Sequence, residues 1–447
     1  MSSERTDAAV QAVAEEPSSP LILGRWRAPF FYGWIIVAVC YTADFFASGF
    51  GQSTISLFFQ PMRDELGWSL KELVGASTAA TIGGIFVSPF LGRIIDRFGN
   101  KPVMLCGTLV AGVGMVLMTF VQEVWQYWAL YAAIGALGLA EFAGLASQAA
   151  VSNWFIYRRG RALMISTLGN TTGTIAGAPV VAFIITMVGW RQAWGVMGIL
   201  LMGVLVPLVL ILIHNRPEDV GLTPDGGWKP SGAAALRAAQ VTDESWTLGE
   251  ALRTRELWAL MGVFVFGGST IALNVTLAPY LNQEYGLSAQ DVGWIISAFW
   301  IPASISRVIW GTLVDMLPAR VCLFAVTVLR AAGPFCLAFT PYPINLGLWM
   351  LFSGLLGNAY GILQPVMLGN YFGRRSFASI QGGVRPFMAL PALAVPLVIA
   401  ALADYTGHFT AGFIFCGCIG LVGAACSFFA GAPRKAQPTE TAAGAGV

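Results

Sequence analysis

Charge is scarce in this chain of 447 residues. Only 11% are Asp, Glu, Lys or Arg, against roughly 25% in an ordinary soluble domain. The 25 basic and 23 acidic residues nearly cancel, so the electrostatics give no support to a nucleic-acid partner, which would need a basic surface. Histidine is almost missing: His214 and His408 are the two present, both near the ends of apolar runs. No nucleophile–base pair, phosphate loop or metal cluster can be assembled, so neither an enzyme nor a cofactor is expected. The seven cysteines, at 40, 106, 322, 336, 416, 418 and 426, all lie inside apolar runs. Cys416 and Cys418 are two apart and do not share a helix face, so these residues read as buried small apolar groups. What the chain has in quantity is apolar surface, with 56% hydrophobic residues and 52 glycines.

The apolar residues gather into runs long enough to cross a bilayer, at about 31–58, 72–95, 102–121, 125–153, 162–188, 192–213, 256–281, 289–314, 320–339, 344–371, 378–403 and 408–430. The reading is an all-α membrane protein with twelve transmembrane helices in two six-helix bundles. Residues 25–213 form the first bundle and 255–430 the second, joined by a linker over 214–254. Residues 1–24 and 431–447 are polar or Ala/Gly-rich and are expected to be disordered. The opening segment carries Glu4, Asp7, Glu15 and Glu16, and the first apolar run is too long for a signal peptide. Most of the basic residues fall in the termini, the linker and the loops on their side. That bias places both termini in the cytoplasm, and a bacterial cytoplasmic membrane is the expected location. Leu248, Ala251, Leu252 and Leu257 suggest a short amphipathic helix on the membrane surface.

The two bundles repeat one another. Gly92, Asp96 and Lys101 recur as Gly311, Asp315 and Arg320, an offset of 219 residues. The same offset relates Leu66-Gly67-Trp68-Ser69 to Tyr285-Gly286-Leu287-Ser288. Asn153-Trp154-Phe155 matches Asn370-Tyr371-Phe372 at 217, and the arginine pairs that follow, Arg158-Arg159 and Arg374-Arg375, match at 216. Each match sits at an equivalent helix end, the signature of two related helical bundles.

Over essentially its whole length the chain resembles the major facilitator superfamily. The Gly-x-x-x-Asp-Arg-x-Gly-x-Lys run at 92–101 is similar to that superfamily's signature between helices two and three. The resemblance implies a latch between the bundles, with Asp96, Arg97, Asp315, Arg158 and Arg159 as its candidates. Partners for Asp96 are sought among Arg158, Arg159, Arg161 and the start of the eleventh helix at Phe377, where a positive dipole end favours an anion. A narrower resemblance, to the monocarboxylate-porter and oxalate–formate-exchanger group, rests on Phe31-Tyr32-Gly33-Trp34, Phe58-Phe59-Gln60-Pro61, Arg216 to Gly226, and Ser306-Arg307-Val308-Ile309-Trp310-Gly311. In the exchanger the last segment carries a carboxylate-binding arginine.

Five ionisable residues lie inside the predicted spans: Asp44, Glu141, Arg307, Arg330 and Arg385. Each costs about 2.5–3.5 kcal/mol at a helix centre on insertion scales, so each should face the interior with a partner. Arg307 is the leading anchor for a carboxylate, because its planar fork can donate bidentately. Trp300 and Ser304 share its helix face. Arg385 is a second candidate cation, and Arg330 reads as structural. Gln52, Tyr131, Asn274 and Tyr360 complete the candidate substrate contacts, each open to an interhelical packing role instead. Asp44 and Glu141 are the proton-coupling candidates. The resemblance would place an Asp four residues before Arg307, where Ala303 stands.

The function expected is secondary transport of a small carboxylate with a proton, by a monomeric unit in a lipid bilayer. The alternatives are carboxylate exchange, efflux of a hydrophobic compound, or a membrane sensor that transports nothing. Gly173-x-x-x-Gly177-Ala178-Pro179 partly matches an antiporter motif, and Ala178 interrupts it.

Overall fold

The structure, a computed structural model, describes residues 30–51, 54–228 and 246–433. The disorder expected at 1–24 and, beyond residue 433, at 431–447 therefore lies outside the described residues, as does the linker over 229–245. Helix is the regular structure of the described residues. In order the helices are α1 (Gly33–Gly49, resumed as Ser56–Leu66), α2 (Leu70–Phe98) and α3 (Asn100–Met118). Next come α4 (Val124–Trp154, with a π-helical stretch over Ala133–Leu145), α5 and α6 (159–188 and 190–212). The second set is α7 (Arg255–Gly268, then Leu273–Tyr285), α8 (Ala289–Met316), α9 (Ala319–Phe339), α10 (Ile344–Phe372), α11 (Phe377–Thr406) and α12 (Thr410–Cys426).

Among the described residues eight helical stretches are long and apolar enough to cross a membrane. One of them, Arg159–Leu212, has 54 residues. At 1.5 Å per residue it would far exceed a hydrocarbon core of about 30 Å. Gly189, at φ 80° and ψ 162°, breaks it into α5 and α6. The run expected at 31–58 is likewise not one helix: it breaks after Gly49 and resumes at Ser56, extending to Leu66. With six helices in each bundle, the start of α1, the end of α12 and the even-to-odd loops share one end of the molecule, here called the linker side.

The repeated sequence at 66–69 and 285–288 has a plain local cause. Gly67 (φ 70°) and Gly286 (φ 65°) close the preceding helices in the left-handed region that glycine tolerates. Their N–H groups donate to Arg63 O (2.9 Å) and Asn282 O (3.0 Å). Two residues later Ser69 and Ser288 open the next helices, each hydroxyl accepting from the backbone N–H of Glu72 (3.3 Å) or Asp291 (3.2 Å).

Apolar packing joins the bundles on one side. A single buried cluster runs from Ile36, Phe58 and Trp194 in the first bundle through Leu257, Val314, Phe372 and Ile380 of the second. A separate cluster, with Leu277, Phe299, Trp349 and Phe413, fills the part of the second bundle farther from the linker. Large apolar side chains such as Phe86, Phe183 and Leu397 remain exposed. The short helix Leu248–Leu252 does not lie apart from the bundle. Ala251 and Leu257 are fully buried, and Leu248 rests where a Cβ on Gly383 of α11 would stand.

Candidate substrate site and inter-bundle latch

The repeated Gly-x-x-x-Asp signal works as one unit in both copies. A Cβ on Gly92 of α2 would collide with the Ala378 carbonyl of α11, so glycine permits the close approach. One turn on, Asp96 reaches the start of α11, where Oδ1 accepts the N–H of Ala378 (3.1 Å) and Oδ2 that of Ser379 (2.7 Å). In the second copy Gly311 of α8 packs against Met164 of α5. Asp315 accepts the N–H groups of Gly160 (2.8 Å) and Arg161 (3.0 Å) at the start of α5, with the Arg161 guanidinium 3.9 Å away. Each bundle thus ends one helix on the N-terminus of a helix in the other. Unsatisfied N–H groups and the helix dipole both favour a carboxylate there.

The basic candidates distribute differently from the sequence reading. Of the partners expected for Asp96, it meets the start of α11; Arg158, Arg159 and Arg161 open α5 in its own bundle, and Asp315 is the carboxylate that meets Arg161. Arg159 is fully buried; its Nη1 donates across to Asn370 Oδ1 (2.7 Å) while Nε and Nη2 donate to the carbonyls of Phe155 and Ser152. Reciprocally, Arg374 donates to Asn153 O (2.9 Å) and pairs with Glu218 (3.2 Å). The Arg158 guanidinium lies 4.3 Å from the Trp228 ring centre, within its own bundle and linker. Arg97 sits on the surface over Phe98. Gln381 of α11 also donates to Gln148 of α4.

Sequence reasoning missed Asp225. In the left-handed region at φ 56°, its carboxylate accepts the N–H groups of Ile156 (2.7 Å), Tyr157 (2.8 Å) and Arg158 (3.2 Å). The Pro224-Asp225-Gly226 turn was the signal available for it.

Deeper between the bundles lies the central charge pair. Asp44 of α1 is buried, and its Oδ2 accepts from Ser166 of α5 (3.2 Å). Ser166 lies 3.5 Å from the Ser147 hydroxyl of α4. Arg307 of α8 reaches across to α5, where Nη1 donates to Thr171 Oγ1 (2.6 Å) and to Thr167 O (3.5 Å). Among the described residues Nε and Nη2 have no protein acceptor. Asp44 and Arg307 act on one another electrostatically, yet no ion pair within 4.0 Å links them. Arg307 is therefore held at one nitrogen among the described residues, with the buried Asp44 carboxyl as its nearest acidic neighbour in electrostatic terms. The α5 residues Ser166, Thr167 and Thr171 were not identified from sequence, although their hydroxyls recur along one stretch of that helix.

The other candidates lie elsewhere or outside the description. Arg385 of α11 rests its guanidinium against Gly144 in the π-helical stretch of α4. Tyr131 packs beside Tyr127, ring centres 5.9 Å apart. Trp300, two turns from Arg307, is half-buried against Phe299, and the Ser304 hydroxyl is spent on the Trp300 carbonyl (2.7 Å). Tyr360 is buried, its hydroxyl donating to Thr327 of α9 (2.9 Å). Gln52 lies outside the described residues, and the side chains of Glu141 and Asn274 lie outside those described.

Gly169, Gly173 and Gly177 have a packing role: a Cβ on each would strike the backbone of Tyr41, Phe45 or Gly49 on α1. This small-residue stripe lets α1 and α5 meet closely. Outside the spans, burial first and then the charge of Lys101 hold the His214 imidazole below its ordinary pKa. Glu65 is also held below the usual carboxylate range, by hydrogen bonds from Arg191 and Trp190.

Comparison with known proteins gives a consistent picture. The profile of the Major Facilitator Superfamily matches residues 45–277 and 259–446. Human monocarboxylate transporter 11 is 24% identical over 419 residues, covering 90% of this chain and 83% of that protein. The solved E. coli fucose:proton symporter superposes with a TM-score of 0.66 at 13% identity, covering 89% of this chain and 99% of the other. The human organic anion transporter MFSD10 gives a TM-score of 0.67 at 14% identity, covering 88% and 99%. The structural likenesses speak to fold alone.

Proposed function

This chain belongs to the Major Facilitator Superfamily, and from that premise we propose that it transports a small organic anion of the monocarboxylate type, coupled to a proton, by alternating access. It is a multi-pass integral membrane protein, and its relatives are transporters. The single observation that carries the cargo assignment is Arg307. A guanidinium between the bundles, fixed at Nη1 by Thr171 and Thr167 with Nε and Nη2 free of described protein acceptors, is suited to take a carboxylate on its fork. The printed name of the human relative, a monocarboxylate transporter, supports the same class.

In the cycle we infer, substrate enters from the side opposite the linker while the Asp96 and Asp315 contacts hold the linker side shut. Its carboxylate takes the open edge of Arg307, and Trp300 borders the path. Substrate then balances the cation that Asp44 had balanced, so Asp44 takes a proton and the loaded centre gains no net charge. Neutrality is what allows the bundles to rock around the centre, because a moving unpaired charge would be costly in the bilayer. We place the protein in a bacterial cytoplasmic membrane, as a monomeric unit, with the termini and linker inside.

One observation favours a second reading. Ala303, buried, stands where the resemblance would place a carboxylate four residues before Arg307. If Asp44 does not titrate during turnover, carboxylate exchange replaces symport. The glycine stripe that partly resembles an antiporter motif is accounted for by the α1–α5 contact.

The test is uptake of radiolabelled acetate, lactate, pyruvate and benzoate into proteoliposomes, with and without an inward proton gradient. Symport predicts saturable uptake driven by the gradient. Uptake indifferent to pH but accelerated by internal carboxylate would establish exchange, and no uptake of any of the four would overturn the cargo class.

A further inference from the structure

Arg330 is a buried cation that the transport cycle above does not use. It lies in α9, only 4% exposed, and every partner it has among the described residues is neutral. Nε donates to Thr270 Oγ1 (2.5 Å), and Nη1 donates to Gly357 O (3.2 Å) and Asn358 Oδ1 (3.4 Å). Its Cζ stands 5.2 Å from the Tyr360 ring centre. A buried charge without a counter-charge is expensive to keep. An apolar residue of similar length would cost less to bury, but it could donate to nothing.

The three acceptors lie at breaks in two helices. Thr270 belongs to the 3-10 turn Ser269–Ala272 that interrupts α7. Gly357 and Asn358 belong to the segment where α10 leaves its π-helical stretch, before regular helix resumes at Tyr360. A break inside a membrane frees backbone groups that neighbouring helices must satisfy. At 356–358 they are satisfied from two directions. The Gly357 carbonyl is taken by Arg330. The Leu356 carbonyl is taken by Trp310 Nε1 (2.8 Å), and the Asn358 N–H by Ser306 Oγ (3.2 Å). Ser306 and Trp310 belong to α8 and flank Arg307 immediately before it and three residues after. A Cβ on Gly357 would press on the Arg330 backbone, so the break sits directly on α9.

We propose that Arg330 is a positioning residue for the Arg307 anchor, acting through the broken segment of α10 that it shares with Ser306 and Trp310. The proposal rests on the reading of Arg307 as the carboxylate anchor. Arg330 fixes the 357–358 segment against α9, and that segment fixes the height and rotation of α8 where Arg307 projects. The planar fork is needed because α7 and α10 are bridged at once, by Nε on one side and Nη1 on the other. A lysine would keep the charge and could not hold both.

The test compares Arg330→Lys, Arg330→Gln, Trp310→Phe and Ser306→Ala with the wild type and with Arg307→Gln, in proteoliposomes, using radiolabelled pyruvate and benzoate. The account expects KM to rise about tenfold in Arg330→Lys and in Arg330→Gln, with kcat within about twofold of wild type. Trp310→Phe and Ser306→Ala, which loosen the other end of the same segment, should raise KM in the same sense. If the Arg330 variants lose thermal stability while KM stays at the wild-type value, Arg330 is only structural and the proposal is wrong. Should those variants not fold, an unchanged KM in both Trp310→Phe and Ser306→Ala overturns it equally. Failure of the underlying reading looks different: Arg307→Gln would match the wild type, whatever Arg330 does.

Discussion

Replacing Asp96 by Asn should open the linker side, and the contacts set the scale. Asp96 accepts two backbone N–H groups at the start of α11, at 3.1 and 2.7 Å. A hydrogen bond to a charged group contributes about 1.5–3 kcal/mol net, against about 1 kcal/mol for a neutral one. Asn offers one acceptor oxygen, so one bond is lost, the other is weakened, and the charge on the helix dipole disappears. Closure should lose about 2–3 kcal/mol, which shifts the closed-to-open ratio roughly 30- to 150-fold. Asp315 makes the equivalent pair of bonds to α5, well separated from the first, so Asp315→Asn should add to the effect. The readout is the distance between spin labels at Arg93 and Arg255, both exposed, in a cysteine-free background. A longer-distance population should grow in Asp96→Asn and dominate in the double variant. Identical distributions in wild type and double variant would refute the latch.

Other expectations follow from the same geometry. Gly173→Leu places a side chain against the Phe45 backbone and should destabilise the first bundle by about 1–3 kcal/mol, the usual cost of overpacking, seen as a lower melting temperature in detergent. Thr171→Val removes the hydroxyl that accepts from Arg307 and should raise KM for a transported carboxylate while the protein stays folded; an unchanged KM would show that this contact does not orient the anchor. His214 is held below its ordinary pKa by burial and Lys101. Its neutral form therefore contributes stability that is present above the unfolded-state value, about pH 6.5, and is lost as pH falls through that value toward the folded one. Thermal unfolding from pH 7.5 to 5 should show that loss, and His214→Gln should flatten it.

The broad architecture was legible because lipid imposes a simple rule: each crossing needs a long apolar run, and each break between runs must be polar or glycine-rich. The repeat was legible for a local reason, since Gly67–Ser69 and Gly286–Ser288 are a helix stop and a helix start, chemistry that acts over neighbouring residues. Distant partners were harder to read. For Asp96 the sequence offered both the start of α11 and the arginines at 158, 159 and 161, and the choice of α11 depends on how one bundle sits on the other. The hydroxyls of Thr171 and Ser304 look alike in sequence, yet one accepts from Arg307 and the other is satisfied by its own helix. The glycines at 173 and 177 illustrate the converse: a spacing suggestive of mechanism is explained by the close approach of α1. Tyr360 looked like a ligand contact by residue type, and it is instead locked against Thr327 and Arg330. Helix-break positions such as 357–359 were invisible, since Gly and Asn are tolerated in a continuous membrane helix too.

The central claim is that Arg307 holds the anionic cargo. The most direct measurement is saturable pyruvate or benzoate uptake by Arg307→Gln and Arg307→Lys beside wild type, at matched amounts of folded protein in the same proteoliposomes. The account predicts no measurable uptake by Arg307→Gln and a strongly raised KM for Arg307→Lys, which keeps the charge and loses the fork. Wild-type uptake by Arg307→Gln would contradict it.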